Sequence, residues 1–189
     1  ALLLVVVTLG FETAYFRYVN DDNKNTLLSS LSTTVLLFGI LVTLLLVTFK
    51  DTFNFLFGFP SCGLSLLIYT GILVLLDSYN AIYFANLRYS RQSLKYSILR
   101  LVQVVVTVVF TIFFLCYLND KTLFGFDFSS ISSISYILFA NVLGSLVPTL
   151  YFLPLILRVK FSVDIKQLRT ILLYSLPLVA MGFFGTLNQ

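Results

Sequence analysis

Four ionisable side chains stand inside or at the edge of strongly apolar sequence. Glu12 and Arg17 lie in "GFETAYFRYVNDD", and Asp77 and Arg88 in "YTGILVLLDSYNAIYFANLR". A carboxylate set in apolar surroundings can take up a proton or a cation, or accept hydrogen bonds from a partner helix. A guanidinium offers a planar fork that suits phosphate. Glu12 and Arg17 are five residues apart, about 140° around a helix, so they do not form the usual i, i+4 pair. Glu12 is expected to turn inward to a partner on another helix. Arg17, at the headgroup level, would contact lipid phosphate or an anionic substrate, or act as an interfacial anchor. Asp77 and Arg88 are about three turns apart and share a face, with Gly63, Thr70, Asn80 and Phe84 on the same stripe. With Arg88 at the interface, Asp77 lies roughly 16 Å deeper. A charge at that depth costs about 3 kcal/mol or more. It therefore needs a water-filled cavity, as a proton or cation site would provide, or a hydrogen-bonding neighbour.

The depth assumes a membrane, and composition supplies one. Of 189 residues, 59% are hydrophobic and only 11% charged, against about 25% charged in a soluble domain. The charges are also bunched. The stretches Thr26–Phe49, Thr52–Leu76, Leu101–Asn119, Phe128–Leu157 and Thr170–Gln189 hold none, and roughly 20 apolar residues cross the hydrocarbon core. None of these stretches carries the continuous polar face of a soluble surface helix. Nor do they show the apolar–polar alternation of an outer-membrane barrel. The chain reads as all-α, a polytopic transmembrane helical bundle. Spans are expected at 1–16, 27–49, 61–86, 98–118, 131–157 and 170–189, the first and last incomplete. Phe59-Pro60-Ser61 suits the start of the third span, since proline fits a first helical turn, and Asn119-Asp120 ends the fourth. Residues 123–133 are expected as an interfacial loop and 158–169 as an amphipathic connector along the membrane surface.

Basic residues set the orientation. Arg17 and Lys24 fall in the first connector, Arg88, Arg91, Lys95 and Arg100 in the third, and Arg158, Lys160, Lys166 and Arg169 in the fifth. The second and fourth connectors hold only Lys50 and Lys121. Positive charge collects on the cytoplasmic side, so the loops at 17–26, 88–97 and 158–169 are assigned there. The net charge of +4 is thus a topology signal and does not point to nucleic acid. Residue 1 already lies in an apolar run and there is no basic segment before it, which suits an internal stretch of a longer chain better than a secretory signal.

Much chemistry is excluded. The chain has no histidine, which removes most general-base, metal and triad designs. It has no glycine-rich phosphate loop, no CxxC pair and no nucleophile elbow. No resident cofactor or metal is implied, and a non-enzymatic role is expected. Cys62 and Cys116 fall near outer helix ends, where they could pair in an oxidising compartment or serve as small apolar fillers. Pro148, Pro154 and Pro177 lie inside spans and are hinge candidates.

Three stretches resemble one family. "GFETAYFRYVND" (10–21) resembles the end of the second helix in bacterial polysaccharide flippases of the multidrug/oligosaccharidyl-lipid/polysaccharide exporter superfamily, where a Glu-Thr-Ala-aromatic-Phe-Arg run is common. "LLDSYNAIYFANLRYSRQSLKYSILR" (75–100) is similar to the fourth helix, its basic loop and the start of the fifth. "LRTILLYSLPLVAMGFFGTLNQ" (168–189) is similar to the entry into the seventh helix. The resemblance implies that residues 1–157 belong to the N-terminal lobe of a two-lobe alternating-access transporter, 158–169 to its connector, and 170–189 to the start of the C-terminal lobe.

The function so implied is flipping of an undecaprenyl-diphosphate-linked oligosaccharide from the cytoplasmic to the periplasmic leaflet, for O-antigen, lipopolysaccharide or other surface polysaccharide. It places the chain in the bacterial inner membrane, with membrane lipids and the lipid-linked oligosaccharide as partners and a polysaccharide polymerase and chain-length proteins as candidate neighbours. H+ or Na+ would be the coupling ion. In this reading Arg17 and Arg88 contact the diphosphate. Asp77 and Glu12 serve ion coupling or lobe packing, and Asn80 and Thr70 line the cavity. The competing readings are a cation-coupled drug antiporter of the same superfamily, which needs an acidic cavity, and a membrane enzyme of polysaccharide assembly. The short outer connectors argue against that enzyme. The topology makes a prediction. In a chain whose native cysteines are replaced, Gln92→Cys should resist a membrane-impermeant thiol reagent applied from outside, and rapid labelling there would invert the assignment.

Overall fold

The computed structural model describes residues 4, 7–8, 10–49, 64–118, 122–123, 126–127, 133–158 and 165–187. Its helices are α1 (Phe11–Tyr18), α2 (Lys24–Thr48), α3 (Leu64–Tyr89), α4 (Ser93–Phe113, continued as a π-helical turn over Phe114–Leu118), α5 (Ser133–Ile156) and α6 (Ile165–Leu187). A two-residue antiparallel ladder pairs Thr122–Leu123 with Phe126–Asp127, at the start of the stretch 123–133 expected as loop. Helices α2 to α5 are each long and apolar enough to cross a bilayer, and α6 contains a shorter apolar stretch, Leu168–Met181. The architecture is the expected all-α polytopic bundle, and the protein is a multi-pass membrane protein.

Several boundaries differ from the sequence expectation, for local reasons. The first apolar run is not one helix to residue 16. Gly10 adopts a left-handed conformation, φ 64°, which glycine takes without a Cβ penalty, and α1 starts anew behind it. The carbonyl of Gly10 accepts hydrogen bonds from the amides of Thr13 and Ala14. Helix α3 runs on to Tyr89 and α4 begins at Ser93, so the third connector shrinks to a tight turn with Arg91 at positive φ. Leaving the hydrocarbon does not end a helix when the following residues are sound helix formers. The same holds for Ile165–Arg169, expected in the surface connector but forming the first turn of α6. Phe59-Pro60-Ser61, Cys62, Gly63, Lys50, Asn119-Asp120, Lys121 and Lys160 lie outside the described residues.

Helix α3 is the hub. It packs against α2 on one side, α5 on another and α1 near its C-terminal end, while α4 lies against α5 and α6 against α1. Lipid hydrocarbon is as apolar as leucine, so such contacts depend on close approach and on hydrogen bonds. Both are present. Gly71 of α3 faces Thr43 of α2, leaving no room for a methyl group, and the Thr43 hydroxyl is shared between the Gly39 carbonyl of its own helix at 2.8 Å and the Gly71 carbonyl at 3.3 Å. Gly144 of α5 sits against Thr107 of α4, and a Cβ there would also lie 3.2 Å from the Gln103 carbonyl oxygen. Leu101, Val104, Val105, Val108, Val109 and Ile112 of α4 are exposed, which suits a lipid-facing helix.

The ends that carry the odd connectors meet. Lys24 Nζ donates to Ser90 Oγ at 2.7 Å and Tyr89 OH to Asp21 at 3.3 Å, joining the first connector to the third. An aromatic cluster of Tyr83, Phe84, Tyr96 and Phe152 fills the space behind that junction, with centroids 5.3–5.4 Å apart. The α4–α5 contact generates a prediction. Gly144→Ala should lower unfolding stability by about 1–3 kcal/mol, as overpacked sites do, and Thr107→Ala in the same chain should recover part of the loss. Thermal unfolding in detergent reads both, and a silent Gly144→Ala would mean that α4 and α5 do not approach this closely.

Candidate functional site

Two clusters collect the ionisable residues singled out above, one inside the bundle and one at the end where the odd connectors meet. The interior cluster begins at Asp77 on α3. Ser145 Oγ of α5 donates to Asp77 Oδ1 at 2.6 Å. Gln103 Nε2 of α4 donates to the same Ser145 oxygen at 3.3 Å. Arg100 Nη1, one turn earlier on α4, donates to Gln103 Oε1 at 3.2 Å. Each donor in the series points toward the carboxylate, and a guanidinium stands at the far end. Hydrogen bonds so aligned polarise one another in a low-dielectric interior, which spreads compensation for the Asp77 charge over three helices. Arg100 also lies over the Phe84 ring, 4.2 Å from its centroid.

Asn80, one turn beyond Asp77, extends the contact. Its Nδ2 donates to the Ser145 carbonyl and to Thr149 Oγ1, both at 3.0 Å. The Asn80 side chain is buried, so its amide is satisfied by α5 rather than by water. Of the polar stripe expected on α3, Asp77, Asn80 and Phe84 do share the face toward α5. Thr70 instead returns its hydroxyl to the Leu66 carbonyl of its own helix at 2.8 Å. Arg88 ends the stripe by turning elsewhere.

At the bundle end, Glu12 of α1 forms an ion pair with Arg88 of α3. Phe16, one turn after Glu12, places its ring 5.1 Å from the same guanidinium, and Tyr96 lies 5.3 Å away. Glu12 and Phe16 thus share one face of α1 by their i, i+4 spacing. Arg17, about 100° further round the helix, is exposed and stacks over Tyr174 of α6 at 4.3 Å. Tyr174 also meets Tyr18 edge to face. Arg88 Nε is buried with no hydrogen-bond acceptor among the described residues, and no carboxylate pairs with Arg17 among them. The two arginines expected to bind one diphosphate therefore differ in state, Arg88 neutralised by Glu12 and Arg17 open.

The prolines lie where expected, and the helices run through them. Pro148 and Pro154 fall within α5 and Pro177 within α6. Pro148 is buried, four residues after Gly144, and Pro154 and Pro177 are exposed. Cys116 is exposed in the π-helical turn. Ser145, Gln103 and Arg100 were not foreseen in the series that ends at Asp77, nor Thr149 as a partner of Asn80. Their signal was present, since Arg100 and Gln103 at i, i+3 and Ser145 and Thr149 at i, i+4 each place two polar groups on one face of a greasy helix.

The Glu12–Arg88 pair is open enough for a quantitative expectation. Side-chain exposures of 40% for Glu12 and 36% for Arg88 allow solvent screening. A double-mutant cycle with Glu12→Gln and Arg88→Gln should give a coupling free energy of about 1 kcal/mol or less. Strict additivity would mean that the pair does not hold α1 onto α3.

Neither a curated protein nor a solved structure matches this chain. A family model described as "Polysaccharide biosynthesis protein" matches residues 1–189. With its whole length matched and its helices arranged as a multi-span bundle, the chain belongs to the polysaccharide biosynthesis protein family.

Proposed function

We propose that this protein moves a polyprenyl-diphosphate-linked oligosaccharide across the bacterial inner membrane for surface polysaccharide assembly. Arg17 carries the reading. It is an exposed guanidinium at the bundle end, stacked on Tyr174 and free of any carboxylate among the described residues. A planar, permanently charged fork held by an aromatic ring suits a diphosphate arriving at the membrane interface. Arg88 lies on the neighbouring helix. A diphosphate that displaced Glu12 would gain a second guanidinium, including the Nε donor that now lacks an acceptor. The odd connectors, and with them this mouth, face the cytoplasm in this reading.

Asp77 is the proposed point of coupling to an H+ or Na+ gradient. Protonation would remove the charge that orders the Ser145–Gln103–Arg100 series and would weaken the link between α3 and α5, the helix that carries Pro148 and Pro154. The protein acts as a carrier rather than an enzyme, without a resident cofactor, and meets a polymerase and chain-length proteins only through its product. Loss of coupling should show as a defect of typical allosteric size. In proteoliposomes holding the full-length protein, Asp77→Asn should reduce gradient-driven flipping about 5- to 150-fold while leaving diphosphate-lipid binding in place. Arg17→Gln should do the reverse, weakening binding. Flipping by Asp77→Asn with its gradient dependence intact would remove the coupling role.

A further inference from the structure

A second basic site lies at the same end of the bundle, with neither Arg17 nor Arg88 in its walls. A cavity of about 540 Å³ opens between the start of α2, the α3–α4 turn and the end of α5, with Lys24, Asn86, Ser90, Gln92, Tyr151 and Arg158 among its walls. Its size lies within the range of small-molecule sites, roughly 300–1,000 Å³. Its charge is one-sided among the described residues, where two cations line it and no acid does. Asp21, in the same connector as Lys24, is engaged by Tyr89.

The cations are placed by different means. Lys24 Nζ is fixed by Ser90 Oγ at 2.7 Å and lies 5.8 Å from the Tyr89 ring centroid. Arg158 is exposed and forms no ion pair among the described residues. Asn86 accepts a hydrogen bond from Tyr15 OH at its Oδ1, 3.1 Å, which leaves its Nδ2 without an acceptor among the described residues. The walls therefore offer donors and positive charge, the chemistry that receives a phosphate.

The surroundings select the kind of phosphate. Arg158 follows directly on the charge-free run that ends at Leu157, and Lys24 begins the helix that carries the charge-free run Thr26–Phe49. The cavity thus sits where headgroups meet hydrocarbon. Beside it, on the α5 segment that supplies Arg158, Leu150, Leu153 and Leu157 are 64%, 44% and 77% exposed, an apolar flank on which acyl chains can lie. Basic pockets between membrane helices at the positive side take up anionic lipid headgroups.

We propose that this cavity binds the phosphate of an anionic membrane phospholipid, held between Lys24 and Arg158 with its chains along the exposed leucines of α5. The lipid would bridge α2, α3 and α5 at their shared end. Such binding requires no flipping and stands or falls apart from the transport reading.

Native mass spectrometry of the full-length protein in neutral detergent tests it with three added lipids: phosphatidylglycerol, an uncharged galactosyl diacylglycerol, and a polyprenyl diphosphate. Phosphatidylglycerol should bind in preference to the uncharged lipid. Its affinity should fall about fivefold in Arg158→Gln and about thirtyfold in Lys24→Gln/Arg158→Gln, as expected for basic side chains at an anionic headgroup. Arg158→Lys should restore binding, and Lys95→Gln, an exposed cation at the same end outside the cavity, should leave it unchanged. Among the described residues Arg158 makes no ion pair that its loss would break, so the single variant reads the site even if the double variant misfolds. Equal binding of charged and uncharged lipid, wild-type affinity in Arg158→Gln, or capture of the polyprenyl diphosphate alone would each overturn the proposal.

Discussion

A carboxylate near the middle of a bilayer has to be compensated, and the packing of this bundle follows from how Asp77 meets that demand. An unpaired charge there costs about 3 kcal/mol or more. A single opposite charge beside it would still leave both ions poorly solvated. The solution here is distributed. Asp77 accepts from Ser145, Ser145 from Gln103, and Gln103 from Arg100, whose cation lies nearer the headgroups and over Phe84. Such a series fixes register as well as energy. Turning α5 by one residue would swing Ser145 about 100° away from Asp77 and leave Asn80 without its two partners. Polar groups buried between helices specify one arrangement in this way, as a single buried asparagine does in coiled coils.

The small residues answer to the same constraint. Hydrogen bonds of 2.6–3.3 Å between side chains on three helices need backbones that approach closely. Gly144 stands beside Ser145 and admits Thr107 and the Gln103 carbonyl. On the opposite side of α3, Gly71 admits Thr43. Helix α3 is therefore held against α2, and α5 against α4, by contacts that tolerate no added methyl group, and the aromatic cluster around Phe152 closes α3, α4 and α5 at their basic end.

The elements were legible because a charge-free run of about 20 residues fits little besides a helix that crosses a bilayer. Asp77 was legible as a buried charge by its distance from Arg88, and Glu12 by its place before the end of an apolar run. Its partner Arg88 could not be read, because the pair joins residues 76 apart in sequence on helices whose rotation no single-chain pattern fixes. Arg17 and Arg88 both read as interfacial cations, and their different partners could not be told apart: Glu12 and Phe16 occupy the side of α1 that meets Arg88, while Arg17 turns to Tyr174. Arg100 groups with the loop charges in the sequence, although it lies two turns inside α4 and ends the Asp77 series. Helix ends depart from expectation wherever polar but helix-competent residues continue a span into the headgroups.

The two clusters divide the molecule into parts of unequal rigidity. Helices α3, α4 and α5 are tied by aligned hydrogen bonds, buried in part, and by glycine contacts, and a change in their relative rotation would break several at once. Helix α1 is eight residues long. It begins at the left-handed Gly10 and is joined to its neighbours by a half-exposed ion pair, by the Tyr15–Asn86 hydrogen bond and by aromatic contacts with α6. Phe11, Ala14 and Tyr15 of α1 are fully buried, but the Glu12–Arg88 pair is half-exposed and Arg17 exposed, and local opening draws on such exposed attachments first. If the protein carries a substrate between leaflets, rearrangement at the basic end should therefore begin where α1 and α6 meet. In the proposed coupling, the α3–α5 unit would move as one body until protonation of Asp77 weakened the interaction from which its register is built.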